Sequence, residues 1–205
     1  MNILLIEINP FVQETTPISL GYIASFLKSK GFCVKILTIG QNTSLSRSAF
    51  HEIIRSFKPS LVGFSAYQRV MLYITGLAKF IKSINKNIKI IIGGPQATFM
   101  PSAAFTDLSD VDYICRSPGE LTMLGIARAI ENRTPFLDIS GVSYKDDNDA
   151  VFDTPELEGY TDLDRYPSAY LNDVFDYSHM KEAIMLTSRG CPHHCIYCYT
   201  PNAFK

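Results

Sequence analysis

The sequence predicts an α/β fold: a five-stranded parallel sheet with helices on both faces. Three observations carry this. Five short runs are apolar at nearly every position, as strands buried on both faces require. Between them lie stretches with apolar residues at i, i+3, i+4 and i+7, the stripe of a helix packed on one side. Joints rich in Gly, Pro, Asn and Ser separate the two patterns. With 205 residues, 46% hydrophobic and 19% charged, the chain has material for a real core and lacks a disordered composition.

The elements follow in order. Ile3-Leu4-Leu5-Ile6 is the first strand. The first helix carries the stripe Leu20, Ile23, Ala24, Leu27, with Thr16 as cap, Pro17 in the first turn and Gly31 just past the end. Residues 33–37 form the second strand. The second helix places Phe50, Ile53, Ile54 and Phe57 on one face and ends at Pro59. Leu61-Val62-Gly63-Phe64 is the third strand, and the third helix buries Ile74, Leu77, Ala78 and Ile81. The fourth strand, 88–92, runs into Gly93-Gly94-Pro95. A short helix at 102–108, a fifth strand at 111–115 and a helix at 120–130 close the unit. Strand–helix alternation with right-handed crossovers gives a doubly wound, Rossmann-like (flavodoxin-like) sheet.

Beyond Pro135 the character changes. Residues 1–135 hold 14 Lys+Arg against 8 Asp+Glu, whereas 136–205 hold 5 against 12. This divides the chain into a first domain at 1–135, a hairpin and acidic linker at 136–182, and the start of a second domain at 183–205. The hairpin pairs 141–144 with 151–152 around Asp146-Asp147-Asn148-Asp149. Residues 154–177 read as a linker across the surface, and 183–187 as a last short strand. The net charge of -1 gives no reason to expect nucleic acid. The apolar start is broken by Glu7 and Pro10 and lacks a basic leader, so it reads as a core strand. No run reaches membrane-spanning length.

Of five cysteines, Cys191, Cys195 and Cys198 cluster as C-x3-C-x2-C in a loop with Gly190 and Pro192. An odd number with three clustered fits a metal or redox site in a reducing cytoplasm better than a disulfide framework. Three thiolates on one loop leave one coordination position open, a geometry suited to chemistry. A zinc site completed by His193 or His194 uses the same spacing, as the minority reading. Cys33 and Cys115 fall in strand patterns and read as buried small apolar residues.

In open α/β sheets a ligand binds beyond the carboxyl ends of the strands, where the strand order switches. For the order 2-1-3-4-5 this selects Asn9 and Ser19 from the first loop, Ser65 and Tyr67 after the third strand, and Gly93, Gly94 and Pro95 after the fourth. Gly119 and Glu120 open the last helix, where backbone N–H groups favour anions. A plain strand-ending turn explains Gly93-Gly94-Pro95 equally well. No G-x-G-x-x-G follows the first strand and no G-x4-G-K-[ST] occurs, which argues against a conventionally held dinucleotide or nucleoside triphosphate.

Both parts together resemble the cobalamin-binding radical S-adenosylmethionine enzymes. Ser188-Arg189-Gly190-Cys191-Pro192 and the C-x3-C-x2-C loop, with Tyr197 before the third cysteine, resemble the radical S-adenosylmethionine signature. Pro17-Ile18-Ser19-Leu20-Gly21-Tyr22, Gly93-Gly94-Pro95 and Asp112-Tyr113-Ile114 resemble the family's cobalamin-binding domain. The resemblance implies that Cys191, Cys195 and Cys198 hold a 4Fe-4S cluster whose fourth iron takes S-adenosylmethionine, cleaved by one electron to a 5′-deoxyadenosyl radical. Tyr197 would pack near the adenine. Cobalamin would lie over the strand ends, its nucleotide tail in the groove near Ser65 and Gly93-Gly94, contacting the residues named above and Gly21. An external electron donor such as ferredoxin or flavodoxin is implied, with methyl transfer or radical cyclisation as the reaction.

Two departures qualify the match. The D-x-H-x-x-G motif is missing: Asn9-Pro10-Phe11-Val12-Gln13 offers no histidine to cobalt. Of Arg116-Ser117-Pro118-Gly119-Glu120, only Gly119-Glu120 carries over. The second domain stops soon after Cys198, so the chain reads as the N-terminal part of such an enzyme, inactive alone. Two other readings are a non-catalytic cobalamin or small-molecule binder, and a radical enzyme without cobalamin. In the last case Phe11, Tyr67 and Phe99 would fill the groove.

Overall fold

A computed structural model describes residues 1–9, 16–40, 45–116, 118–135, 139–146, 148–156, 162–175, 183–193 and 195–198. Its elements are β1 (Asn2–Asn9), α1 (Ile18–Ser29), β2 (Cys33–Gly40), α2 (Arg47–Phe57), β3 (Leu61–Ser65), α3 (Met71–Ile84), β4 (Lys89–Gly93), α4 (Pro95–Thr98), α5 (Ser102–Phe105), β5 (Tyr113–Cys115), α6 (Gly119–Asn132), β6 (Val142–Lys145) and β7 (Val151–Asp153). The sheet runs β2-β1-β3-β4-β5-β6-β7. β1 to β5 pair in parallel in the order expected for a switch beside β1.

The continuous apolar runs have a direct cause. Successive strand residues point to opposite faces, and both faces here are covered. Leu4, Ile6, Val62, Phe64, Ile90 and Ile92 face α2, α3 and α5, where they meet Phe50, Ile54, Ile74, Ile81 and Phe105. Ile3, Leu5, Leu61 and Ile91 face α1 and α6, meeting Leu20, Ala24, Leu27, Ile126 and Ala127. Each fully buried aliphatic side chain contributes about 1.5–3 kcal/mol, so two such layers hold the sheet from both sides.

The hairpin expected after Pro135 forms, but it is not a separate appendage. β6 pairs antiparallel with β5, and β7 with β6, so the sheet has seven strands. Asp146 shapes its turn by accepting from the backbone N–H groups of Asn148 at 2.8 Å and Ala150 at 2.9 Å; Asp147 lies outside the described residues. Asp112 has a structural role. Its carboxylate accepts from Ile90 N at 2.7 Å and Lys82 Nζ at 2.6 Å, and pairs with Lys89 Nζ at 3.1 Å, tying β4 and α3 to β5.

Several local expectations are corrected. Pro17, not Thr16, caps α1, because Gly21 N donates to the Pro17 carbonyl and Thr16 stands one residue too early. Gly31 does follow the helix with φ +91°, the left-handed region where glycine is unstrained. The helix expected at 102–108 stops at Phe105, and α4 precedes it. Cys33 is exposed, since β2 is an edge strand and Cys33 opens it. The segment 183–187 forms no strand, because among the described residues no strand lies beside it; the Tyr170 hydroxyl donates to its Ile184 carbonyl at 2.8 Å. Residues 162–175 do more than cross the surface: Ala169 and Tyr166 are buried, Tyr166 packs on Phe26 of α1, and Ser25 and Lys28 of α1 donate to the carbonyls of Ser168, Asn172 and Asp173. Among the described residues no helix is long and apolar enough to cross a membrane.

Candidate functional site

A cleft of about 390 Å³ opens between the sheet and the α1/α6 layer, at the carboxyl ends of the parallel strands. Its floor is built from residues that sequence alone marks only as core: Leu5 of β1, Gly63 of β3, Ile91 of β4, Cys115 of β5 and Met123 of α6. Gly63 keeps the floor low. A Cβ there would stand 3.0 Å from Leu5 Cδ2 and 3.5 Å from both Ile91 and Met123. A glycine inside an otherwise apolar strand is the signal that could have pointed to it.

Eight of the residues selected from sequence line this cleft. Ser19 comes from the start of α1, Ser65 and Tyr67 from the end of β3, Gly93, Gly94 and Pro95 from the end of β4, and Gly119 and Glu120 from the start of α6. Gly94 answers a backbone need. Its φ is +100°, and a Cβ would meet Ala66 O at 3.1 Å, because the loops after β3 and β4 are laced by Ala66 N donating to Gly93 O at 2.6 Å and Gln96 N to Ala66 O at 3.1 Å. Gly93 differs, since a Cβ there would make only ordinary contact with Cys115, 3.4 Å away. Its missing side chain leaves room for a ligand. The strand-ending-turn reading therefore explains Gly94 and leaves Gly93 to the cleft.

Three selected residues lie elsewhere. Asn9 is buried at the end of β1, paired in register with Gly40. Gly21 lies under the 162–175 segment, where a Cβ would come within 2.8 Å of Phe175 Cε2 and 3.1 Å of Ala169 Cβ, so this glycine serves packing. Tyr197 is 89% exposed. Residues 10–15, expected beside Asn9, lie outside the described residues, and with them Phe11. Tyr67 is 49% exposed on the rim and Phe99 is 46% exposed, so neither fills the groove as the cobalamin-free reading requires.

The outer wall was not foreseen. Leu186, Ser188, Arg189 and Gly190, the approach to the cysteine loop, also line the cleft. Arg189 Nη2 pairs with Glu120 Oε1 at 2.5 Å. Its guanidinium stacks at 5.2 Å from the Tyr22 ring and 5.1 Å from the Tyr166 ring. Burial, then the neighbouring Glu120 carboxylate, pushes the Tyr166 hydroxyl above its usual pKa. On the far side Arg116 anchors the 94–102 loop, donating to the Met100 carbonyl at 2.6 Å and to Ser143 Oγ at 2.5 Å.

At the cysteine loop, Cys191 and Cys195 are exposed and Cys198 is half-buried, none of them in a disulfide. Cys198 N donates to Cys195 O at 3.0 Å, folding the C-x2-C segment into one turn. Among the described residues no three His, Cys, Asp or Glu side chains stand close enough together to hold a metal ion. The donor chemistry of three thiols outside any disulfide suits iron, but the folded loop does not present them as a ready chelate. Glu7, on the α1 side of β1, has a carboxyl pushed up to about 7 by burial; its Oε2 has no hydrogen-bond partner among the described residues.

The chain forms a doubly wound domain with a cleft at the switch in strand order, where open α/β sheets bind ligands. Residues 6–127 match the B12-binding domain family. The uncharacterized methyltransferase PH0819 of Pyrococcus horikoshii is 31% identical over 186 residues, spanning 89% of this chain and 40% of that protein. The anaerobic magnesium-protoporphyrin IX monomethyl ester cyclase of Rubrivivax gelatinosus is 27% identical over 190 residues, spanning 89% of this chain and 34% of that one. The solved structure of the radical S-adenosylmethionine methyltransferase TsrM from Kitasatospora setae, with cobalamin and a 4Fe-4S cluster bound, superposes with a TM-score of 0.67 over 82% of this chain and 31% of that one, at 18% identity; at that identity the likeness is one of fold. The chain belongs to the B12-binding domain family. It spans about two-fifths or less of the length of these curated relatives.

Proposed function

We propose that the cleft holds cobalamin and that the chain is the N-terminal part of a radical S-adenosylmethionine enzyme. The observation that carries this is the wall of the cleft: the strand-end groove of a B12-binding domain is also lined by the residues that lead into C-x3-C-x2-C. A narrow, mainly apolar cleft with glycines at 63 and 93 suits the flat nucleotide base of the cofactor, and the open rim at Ser65, Tyr67 and Gly94 suits its corrin. The strand-one loop offers cobalt no histidine. Cys191, Cys195 and Cys198 would take a 4Fe-4S cluster, with Tyr197 toward S-adenosylmethionine. When bound, the cluster supplies an electron to S-adenosylmethionine, and cobalamin serves as a methyl carrier or redox partner. The chain's own residues bind and enclose: Ser65 and Ser19 offer hydroxyls at the rim, and Leu5, Ile91 and Met123 exclude water from the floor.

The reaction would be methyl transfer or radical cyclisation; the relatives are named a methyltransferase and a cyclase. Ferredoxin or flavodoxin would supply electrons, in a reducing cytoplasm consistent with five cysteines outside any disulfide. Titration with hydroxocobalamin, followed by absorbance, should saturate at one equivalent. Anaerobic reconstitution with iron and sulfide should give the absorption and EPR signals of a 4Fe-4S cluster, abolished in Cys191→Ala/Cys195→Ala/Cys198→Ala. Stoichiometric zinc without iron uptake would overturn the cluster, and absence of corrinoid binding would overturn the cofactor.

A further inference from the structure

Arg189 precedes Cys191 by two positions, yet its side chain belongs to the cleft. The ion pair with Glu120 is almost fully enclosed: the two side chains are 11% and 4% exposed. Tyr22 of α1 and Tyr166 of the docked 162–175 segment both present their rings to the guanidinium. Three separate stretches of chain thus hold one side chain from a fourth. Arginine is the residue for this place, since a planar guanidinium can stack on aromatic faces while bonding a carboxylate edge-on. The first turn of α6 further favours a carboxylate at Glu120.

Desolvating such a pair is costly, and apolar side chains would hold two surfaces together as well. What the pair adds is a defined position. Ser188 and Gly190, on either side of Arg189, line the cleft themselves. A ligand in the cleft therefore touches the stretch that continues into Cys191. We infer that Arg189 is a positioning residue: it pins the cysteine loop at the mouth of the cleft, so that occupancy of the cleft and placement of Cys191, Cys195 and Cys198 are energetically coupled. The inference rests on the reading that the cleft takes cobalamin.

The test uses the whole chain, with methylcobalamin as the probe in dim light and iodoacetamide alkylation followed at each cysteine by mass spectrometry. Binding is read independently from the corrinoid absorbance. Cys33, exposed at the opposite end of the sheet, is the internal reference. Buried Cys115 stays slow to react as long as the fold is intact. Saturating methylcobalamin should slow alkylation of Cys191 and Cys195 by about 5-fold or more, the lower end of measured site–site coupling, and leave Cys33 unchanged. In Arg189→Gln the slowing should vanish at saturation, with weaker methylcobalamin binding because coupling is reciprocal. Arg189→Lys should restore part of it, and Glu120→Gln should lose it as Arg189→Gln does. Wild-type binding without slowing, or undiminished slowing in Arg189→Gln with Cys115 still slow, overturns the coupling alone. Failure of the wild type to bind methylcobalamin overturns the cobalamin reading and the coupling with it.

Discussion

The two faces of the sheet are built from the same kind of residue and put to different uses. Under α2, α3 and α5 the strands present Leu4, Ile6, Val62, Phe64, Ile90 and Ile92, and the helices pack Phe50, Ile54, Ile74, Ile81 and Phe105 on them. Under α1 and α6 the matching positions begin as Ile3, Leu5, Leu61 and Ile91 and then give out: the strands reach Gly63 and Gly93 where the other face has Phe64 and Ile92. One face carries Phe64 and Ile92 at its carboxyl end, and the other lacks two side chains there. The cleft here is a local shortage of volume in an otherwise close-packed interior.

Substitutions should divide along the same line. The largest loss of stability is expected on the face under α2, α3 and α5. Ile74→Ala removes a fully buried side chain from α3 and should cost about 2–5 kcal/mol, read as a lower midpoint in urea unfolding. Gly94→Ala comes next. It forces a side chain onto φ +100° against the Ala66 carbonyl and should cost about 1–3 kcal/mol. It also displaces the rim, so a melting temperature equal to that of the parent would break the account of Gly94 as a backbone requirement.

The smallest effect concerns Glu7. Burial lifts its carboxyl from an ordinary 4.5 to about 7. The folded chain therefore keeps a proton that the unfolded chain releases, and this group's contribution falls as pH rises from about 4.5 through 7, then levels off. Glu7→Gln should flatten that slope and raise stability at pH 8 by about 1 kcal/mol, discounted for partial exposure. Urea midpoints at pH 5, 6, 7 and 8 decide it, and parallel pH profiles for parent and variant would contradict the burial.

Much of the fold was legible because its causes are local. Apolar runs and helical stripes mark β1 to β5 and the longer helices, and the strand order follows from the switch. What failed depends on partners far along the chain. Residues 141–144 and 151–152 announce a hairpin, yet nothing local says that β6 pairs with β5. The 183–187 run has strand chemistry without a neighbouring strand. Cys33 looks buried until β2 is known to be an edge. The site divides the same way. Rim residues such as Ser65 and Gly93 were readable because they punctuate strand ends. Leu5 and Met123 look like any core residue until the cavity beside them exists. The Arg189–Glu120 pair joins segments that only the tertiary fold brings together.

The most direct test of the cleft as the cobalamin site compares hydroxocobalamin dissociation constants for the parent, Gly93→Val and Ile74→Ala, each below its melting temperature. Gly93 tolerates a Cβ, 3.4 Å from that of Cys115, so its variant should stay folded while filling the cleft. Gly93→Val should weaken binding by about tenfold or more, equivalent to about 1.4 kcal/mol, with Ile74→Ala within about twofold of the parent despite its larger loss of stability. Parent-like affinity in folded Gly93→Val would contradict the assignment of the cleft.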